Sequence, residues 1–141
     1  MKKICVIDGQ GGGIGSAIIK KIKDTFGERI EIIALGTNAI ATAQMLKARA
    51  NRGASGSNAI IQTVKQVDVI IGPIGIIMAQ SMMGEVTPAI AEAVSSSSAK
   101  KILIPLSREN IEVVGTTPTP LPQLIETMIQ ENLKPIIKSD T

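Results

Sequence analysis

The chain has 141 residues, of which 44% are apolar and 19% are charged, and its formal net charge at neutral pH is +3. We therefore expect a single domain over residues 1–141, built around one hydrophobic core. The sequence contains no His, Trp or Tyr, one Phe and one Cys. This composition excludes Ser-His-Asp and Cys-His nucleophile pairs, His-ligated metals, cysteine-based zinc or iron–sulfur sites and internal disulfides, so no metal site is predicted.

Basic residues are concentrated in the first half of the chain. Residues 1–70 hold ten Lys and Arg against five Asp and Glu, whereas residues 71–141 hold five against seven. This gradient favours an anionic ligand near the N-terminal half, although Lys20, Lys21 and Lys23 fit a solvated helix face better. Nucleic acid is not an expected partner, because the sequence has neither a dense basic stripe nor aromatic side chains for base stacking.

Hydropathy predicts neither an export signal nor a membrane span. Only four apolar residues, Ile4 to Ile7, separate the first basic pair from Asp8, which is too few for a secretory signal. The longest uncharged apolar stretch, Val69 to Ala79, is interrupted by glycine and proline and is far shorter than the roughly 20 residues that cross a bilayer. We expect a cytoplasmic protein without membrane association.

The first fifty residues predict a strand, a helix, a second strand and a second helix. The run Lys3 to Ile7 is short and β-branched, as in a buried strand, and Ile30 to Leu35 is its counterpart. Asn38 follows as the N-cap of a helix from Ala39 to about Ala50. The first helix is indicated by apolar residues at helical spacing: Ile18, Ile19, Ile22 and Phe26. This order predicts a right-handed parallel crossover.

The middle of the chain repeats this layout. A loop over residues 51–58 leads to a helix from about Ser57 to Gln66 and a third strand, Asp68 to Ile71. Because that helix must end where the third strand begins, its start is expected at the carboxyl edge of the sheet, beside the first loop. Thr87 and Pro88 then provide the N-cap and first residue of a helix that leads to a fourth strand, Lys101 to Pro105.

The last third of the chain is expected to contain an edge strand of the sheet and a closing helix. Ile111 to Val114 follows the fourth strand too closely for a parallel crossover, so we expect an antiparallel fifth strand or a strand-like loop. Residues 115–122 read as an extended linker before a closing helix. The fold class is therefore α/β, a three-layer Rossmann-like domain with a mostly parallel sheet in the order 2-1-3-4 and an antiparallel edge strand.

A glycine-rich loop between the first strand and first helix is the strongest functional signal. Bare glycine amides at a helix N-terminus favour phosphate or nucleotide binding, and the alternative is a tight turn without a ligand. The predicted cofactor-binding residues of this loop are Gly9, Gln10, Gly11, Gly12, Gly13, Ile14 and Gly15. The missing lysine excludes the phosphate loop of nucleoside triphosphatases.

The spacing of Gly9, Gly13 and Gly15 resembles the cofactor loop of short-chain dehydrogenases/reductases. The resemblance covers about the first forty residues and implies a dinucleotide cofactor. It does not extend to catalysis, because that family uses a tyrosine and this chain has none.

The second strand ends at Gly36, Thr37 and Asn38, without the acidic residue that usually holds the ribose of NAD. NADP(H) or another nucleotide is therefore favoured over NAD. Arg52 is a candidate phosphate contact, and Arg49 is a weaker one, if the following loop folds over the site; both equally fit solvated helix-end positions. Further candidate cofactor contacts are Gly36, Thr37, Asn38, Ser55, Ser57, Asn58, Gly72 and Pro73.

Two carboxylates are candidates for catalysis, although the sequence does not decide whether the protein is an enzyme. Glu85 is expected at the ligand edge, where it would act as acid, base or ribose acceptor, and Asp8 borders the glycine loop. The alternative for Glu85, which we favour, is a carboxylate stabilised by a helix N-terminus.

The uncharged segment Ile74 to Met83 predicts assembly into a homodimer. Its apolar side chains exceed what one edge helix needs for its own core, and methionines suit a self-complementary surface. Packing between the sheet and the closing helix is the alternative. A soft-metal site at Met78, Met82 and Met83 is disfavoured because Cys and His partners are lacking. Cys5 is expected to be buried and unreactive.

The strand–loop–helix start from Val6 to Gly15, the turn Gly72-Pro73-Ile74-Gly75 and the segment Gly84-Glu85-Val86-Thr87-Pro88 resemble a small bacterial and archaeal family known only as a domain of unknown function. This resemblance covers most of the chain and implies a Rossmann-like fold without an assigned activity. We therefore predict a protein that binds a small-molecule nucleotide or dinucleotide. The alternative is a non-enzymatic oligomeric adaptor whose glycine loop is purely structural.

Overall fold

Strands and helices alternate along the chain in the computed structural model, which describes residues 1–106 and 109–138. The strands are β1 (Lys2–Asp8), β2 (Ile30–Gly36), β3 (Arg52–Ser55), β4 (Val69–Pro73) and β5 (Lys100–Ile104). The helices are α1 (Gly13–Phe26), α2 (Ala39–Lys47), α3 (Ser57–Thr63), α4 (Pro88–Ser96), α5 (Leu121–Thr127) and α6 (Lys134–Lys138). The remaining helical pieces are 3-10 turns at Gly27–Arg29 and Ile74–Ile77 and a π-helical turn, Met128–Leu133, between α5 and α6.

The five strands form one parallel sheet in the order β3-β2-β1-β4-β5. β1 is central and pairs with β2 along its whole length, from Lys2 opposite Ile30 to Asp8 opposite Gly36. On its other side, Ile4 lies opposite Val69 of β4. The predicted α/β class and the predicted order of the first four strands are confirmed, because β2, β1, β4 and β5 are those strands.

Helices cover both faces of the sheet, which gives the predicted three layers. Alternate residues of β1 enter two separate cores: Ile4 and Val6 pack with α1, α2, α5 and α6, whereas Cys5 and Ile7 pack with α3 and α4. All four of these side chains are completely buried. Because both faces of β1 are covered, every residue from Ile4 to Ile7 must be apolar. This unbroken apolar run is the pattern from which the strand was predicted.

The predicted antiparallel fifth strand is wrong. The described backbone of residues 109–120 forms no strand, and the side chains of Ile111, Val113 and Val114 are 49%, 40% and 99% exposed. The fifth strand is instead β3, in the predicted loop 51–58, and it pairs in parallel with β2 at the opposite edge. Its sequence Arg-Gly-Ala-Ser carries no strand pattern because the whole strand is exposed.

Helix N-termini gather at the carboxyl edge of the sheet. The predicted caps are confirmed: the Asn38 side chain accepts a hydrogen bond from Ala41 N, and Thr87 Oγ1 accepts one from Ile90 N. α2 ends at Lys47, three residues before the predicted end. Among the described residues, no helix combines the length and apolar character that crossing a membrane demands.

Candidate functional site

An open cleft of about 730 Å³ lies at the carboxyl edge of the sheet, above β1 and β4. One wall is the glycine loop, and the other is the connection between β4 and α4. The lining residues are Asp8, Gly9, Gln10, Gly11, Gly12, Gly13, Ile14, Pro73, Gly75, Gln80, Ser81, Met82, Met83, Leu106 and Glu109. The predicted loop residues thus meet in one cavity, except Gly15, which is buried beneath it.

Asp8 holds the glycine loop in shape. Its side chain is 4% exposed, and its two carboxylate oxygens accept hydrogen bonds from the backbone nitrogens of Gly9 (2.8 Å) and Gly15 (2.7 Å). Burial raises the pKa of Asp8, the bonds from Gly15 and Gly9 oppose this rise, and the nearby charge of Glu85 adds to it. Asp8 is therefore committed to the loop through both oxygens.

Three glycines of the loop are required by packing. A Cβ atom at Gly15 would lie 2.6 Å from Met45 Sδ, and one at Gly9 would lie 2.7 Å from Met82 Sδ. Gly12 has a φ of +74°, and a Cβ there would lie 2.8 Å from the backbone oxygen of Ala41. These contacts are closer than side chains tolerate, so a structural role accounts fully for these positions.

Gly11 and Gly13 differ from the other loop glycines. A Cβ atom at either position would meet nothing within 4 Å, and neither residue has a positive φ. Their backbone N–H groups meet no hydrogen-bond acceptor among the described residues. Both are exposed at the start of α1, on the wall of the cleft. Nothing in the protein's own packing requires glycine at these two positions.

Glu85 lies between the glycine loop and the end of β2. Its Oε1 atom accepts three hydrogen bonds, from Gln10 N (2.8 Å), Thr37 Oγ1 (2.5 Å) and Asn38 Nδ2 (2.9 Å). Partial burial alone would raise the pKa of Glu85, but these three hydrogen bonds outweigh it and lower the pKa below its ordinary value. At neutral pH, Glu85 is therefore a carboxylate that is stabilised by three hydrogen-bond donors.

The segment that presents Glu85 has an unusual backbone. Gln80, Met82 and Met83 have φ values of +70°, +56° and +57°, and Gly84 has +88°. Positive φ is costly for residues with side chains, so this backbone persists only because its surroundings hold it. Ser81 is one such anchor: it is 2% exposed, and its Oγ donates a hydrogen bond of 2.5 Å to Gly75 O.

Comparison with known protein families matches the chain to a family of unknown function. The family model described as domain of unknown function (DUF3842) matches residues 3–137. The chain belongs to this family. The predicted membership in a family of unknown function is thereby confirmed. No curated protein matches the chain.

The other predicted residues of this DUF3842 domain divide into two groups. Thr37 and Asn38 donate hydrogen bonds to Glu85, and Asn38 Nδ2 also donates one to Gln10 O on the cleft wall. Gly36 is buried against Thr42 and does not line the cleft. Pro73 lines the cleft, and Gly72 lies beneath it against Ile7 of β1. The structure thus brings the ends of β1, β2 and β4 together as the sequence predicted.

The second group lies outside the cleft of the DUF3842 domain. The Arg52 guanidinium is bound to Glu31, at 2.8 Å from Nε and 2.7 Å from Nη2 to the same Oε1. Ser55 Oγ donates a hydrogen bond to Thr42 Oγ1. Ser57 Oγ lies 3.4 Å from Thr87 Oγ1, and Asn58 is exposed in the first turn of α3.

Sequence reasoning missed the contribution of Gln80, Leu106 and Glu109 to the cleft. Glu109 Oε1 accepts a hydrogen bond of 3.1 Å from Met82 N and so helps to fix the β4–α4 connection. These residues lie in irregular segments without hydrophobic periodicity. The only available signal was the topology, which returns the ends of β4 and β5 to the same edge of the sheet.

The segment Ile74–Met83 is only partly buried. Ile76 is completely buried, Ile74, Ile77, Met78 and Met82 are half-buried, and Met83 is 94% exposed. Cys5 is completely buried, and burial raises the pKa of its thiol to about 12. The thiol is therefore protonated and unreactive at neutral pH, as predicted.

Proposed function

We propose that this domain binds a nucleotide or dinucleotide in the cleft, with a phosphate group against the N–H groups of Gly11 and Gly13. The main support for this proposal is that the five glycines of the loop fall into two groups. Packing accounts for Gly9, Gly12 and Gly15, whereas Gly11 and Gly13 are free of neighbours. Close approach of a ligand to the bare backbone accounts for glycine at the remaining two positions.

The electrostatics of the loop support a phosphate. α1 has 14 residues, and its first turn carries no acidic side chain, so the positive end of the helix dipole faces the cleft. Within residues 1–106 and 109–138, no Lys or Arg lines the cleft. Recognition would therefore rest on backbone amides, as at other phosphate sites beside helix N-termini.

The size of the cleft supports a ligand larger than free phosphate. Its volume of about 730 Å³ falls within the range of about 300–1,000 Å³ that is typical of small-molecule sites. The apolar side chains of Ile14, Met82 and Leu106 line it together with polar groups. A base or nicotinamide ring would find apolar contacts on the β4 side, next to the phosphate.

Glu85 bears directly on the choice between NADP(H) and NAD. The sequence favours NADP(H) because β2 ends without an acidic residue. In the folded chain, Glu85 brings a carboxylate to Thr37 and Asn38 at that same strand end. The 2′-phosphate of NADP would face this carboxylate, so binding of NADP(H) in the usual orientation requires Glu85 to leave.

We assign no reaction to the site. Both oxygens of Asp8 are committed to the glycine loop, which makes Asp8 a positioning residue. Glu85 Oε1 is already the acceptor of three hydrogen bonds. The proposal is therefore nucleotide binding, and catalysis is not part of it.

Thermal shift and isothermal titration calorimetry against ATP, ADP, AMP, NAD, NADP and adenosine test the proposal. A nucleotide at 100 times its Kd stabilises the folded state by about 2.7 kcal/mol. Gly13→Ala should bind at least about tenfold more weakly and remain folded, since its added methyl group meets open space. Lys20→Ala, on the exposed face of α1, is the control and should bind normally. Absence of binding to every nucleotide would refute the proposal.

The exposure of Met83 favours a second candidate, a homodimeric adaptor that assembles through Ile74–Met83. A methionine that is 94% exposed would be buried by a two-fold contact of this segment with a second copy. Met83→Glu is the appropriate test, because Met82 covers Gly9 and its replacement would disturb the cleft. This candidate requires a dimeric wild type and a monomeric variant in light scattering, together with no nucleotide binding.

A further inference from the structure

We propose that the three donors that hold Glu85 form an anion subsite of the same cleft, and that a phosphoryl group of the bound nucleotide displaces Glu85 from it. The donors are Gln10 N, Thr37 Oγ1 and Asn38 Nδ2, and the Glu85 carboxylate is their internal occupant. This inference rests on the proposed nucleotide binding and adds a second point of contact, at the end of β2.

The donor set suits a phosphoryl group. One backbone N–H, one hydroxyl and one side-chain amide converge on a single oxygen of Glu85, at 2.8, 2.5 and 2.9 Å. These are the kinds of groups that bind phosphate oxygens elsewhere, and a phosphoryl group has three such acceptors and more charge than a carboxylate. The three donors come from both the β1–α1 and β2–α2 loops, which meet at the carboxyl edge of the sheet.

The residues that present Glu85 form a short tip between two fixed points. Ser81 is 2% exposed and Val86 is completely buried, whereas Met83, at the centre of the tip, is 94% exposed. Met82 and Met83 both have positive φ, which is strained for residues with side chains and favours departure from the closed conformation. Outward movement of residues 82–85 breaks the hydrogen bonds from Met82 N to Glu109 Oε1 and from Gly84 N to Gln80 O and Ser81 O, while Ser81 and Val86 keep their positions.

The closed tip fills the space directly above Gly9. A Cβ atom at Gly9 would lie 2.7 Å from Met82 Sδ and 2.9 Å from Glu85 Oε1, which belong to the tip, and closer still to Thr37 Oγ1, which is one of the three donors and does not move with the tip. No ligand atom fits beside Gly9 while the tip is closed, and opening the tip exposes the Thr37 hydroxyl to the ligand. Opening the tip would extend the cleft from the β4 side across Gly9 to the end of β2. The ligand class is then a nucleotide with at least two phosphoryl groups, such as a nucleoside diphosphate or a dinucleotide.

Calorimetric titration with ADP tests the displacement. Glu85→Ala empties the subsite and should lower the Kd for ADP at least about tenfold, while the Kd for adenosine, which has no phosphate, stays unchanged. Glu85→Gln keeps an acceptor oxygen but loses the charge, so it should give a smaller decrease. Circular dichroism establishes that each variant is folded. Unchanged or weaker ADP binding by both variants would overturn the inference.

A variant that favours the closed tip provides the opposite test. Met83→Gly removes the side chain from a residue at φ +57° that is almost fully exposed. It should raise the Kd for ADP about threefold, because the closed tip becomes easier to maintain. Arg49→Gly is the matched control, since Arg49 is also exposed at positive φ, +82°, but lies outside the cleft, and its ADP affinity should not change. Tighter ADP binding by Met83→Gly would contradict a displaceable tip.

Nucleotide binding by the wild type, compared with binding by Glu85→Ala, tells a failure of this inference from a failure of the proposed function. If the wild type and Glu85→Ala both fail to bind any nucleotide, the proposed function is wrong. If the wild type binds ADP and Glu85→Ala binds it no more tightly, nucleotide binding stands and the subsite is wrong. If only Glu85→Ala binds ADP, the three donors can hold an anion but no nucleotide displaces Glu85, so both proposals are wrong for the wild type.

Discussion

Glu85 Oε1 lies 2.8 Å from the backbone nitrogen of Gln10, although 75 positions separate the two residues along the chain. This hydrogen bond ties the connection between β4 and α4 to the glycine loop after β1. It makes the shape of the cleft depend on the charge of one carboxylate. The stability of the fold and the geometry of the cleft should therefore both respond to the titration of Glu85.

The first prediction concerns the pH dependence of this contact. The folded-state pKa of Glu85 lies below its ordinary value of 4.5. Its stabilising effect is therefore complete above the ordinary pKa and is lost as the pH falls through the folded-state pKa. At pH 7, Glu85→Gln should lower the free energy of unfolding by about 1 kcal/mol, a modest value because the group is partly exposed to solvent.

Urea denaturation of the wild type and Glu85→Gln at several pH values between 7 and 3 measures this difference. It should be constant above about pH 6 and shrink below the ordinary pKa of a glutamate. Asp8 is present in both proteins, but the charge of Glu85 raises its pKa, so the comparison is repeated with Asp8→Asn in both. A difference that grows on acidification would contradict the hydrogen-bonded carboxylate described here.

The second prediction separates the glycines of the loop by stability. Gly12→Ala places a methyl group at φ +74° and 2.8 Å from the backbone oxygen of Ala41. It should lower the free energy of unfolding by about 2 kcal/mol or more. Gly11→Ala, whose methyl group meets open space, should stay within about 0.5 kcal/mol of the wild type. Equal losses in urea denaturation would mean that the loop has another conformation.

The third prediction concerns a buried lysine in the last turn of α1, at the end of the helix away from the cleft. The side chain of Lys23 is 3% exposed, and its Nζ donates a hydrogen bond of 2.9 Å to Asn51 Oδ1, which also accepts one of 2.8 Å from Ile32 N. Asn51→Ala removes this acceptor and leaves Lys23 Nζ paired with the exposed Glu28 carboxylate at 3.4 Å, so it should cost about 2 kcal/mol in urea denaturation.

Asn58→Ala is the control for this experiment, because Asn58 is an exposed asparagine and its replacement should cost less than about 0.5 kcal/mol. If Asn51→Ala is as mild as this control, the ammonium is not held by Asn51.

The fourth prediction concerns Arg52. Its guanidinium is bound to Glu31, and its side chain is 63% exposed, away from the cleft. Arg52→Ala should therefore leave nucleotide affinity unchanged in calorimetry and cost less than about 1 kcal/mol of stability. A clear loss of affinity would show that Arg52 reaches the ligand after all.

The sequence predicted those parts of the fold that depend on local apolar pattern. β1, β2, β4 and β5 contain buried β-branched runs, and their order follows from parallel crossovers. β3 was not predicted because Arg-Gly-Ala-Ser has no large apolar residue and all four residues are exposed. It is a strand because it pairs with the edge of β2. Ile111 to Val114 has the composition of a strand but lies exposed and unpaired within the described part of the chain.

The position of the candidate site in the fold was predictable from the sequence, but the contacts between its residues were not. Topology alone brings the glycine loop, Thr37, Asn38 and Glu85 to one edge of the sheet. The contact between Glu85 and Gln10 depends on positive φ at Gln80, Met82 and Met83. Such backbone values have no sequence signature in residues other than glycine and asparagine, because tertiary contacts impose them.

The central position of β1 affects how the chain folds during synthesis. β1 pairs with β2, which begins 28 residues later, but its other edge stays open until Val69 of β4 has left the ribosome. Until then the nascent chain presents Ile4 to Ile7 as an unpaired apolar strand, which is the kind of edge that recruits other chains. Released chains that are truncated between residues 40 and 65 should therefore aggregate or bind chaperones, and released chains that extend past residue 73 should do so less.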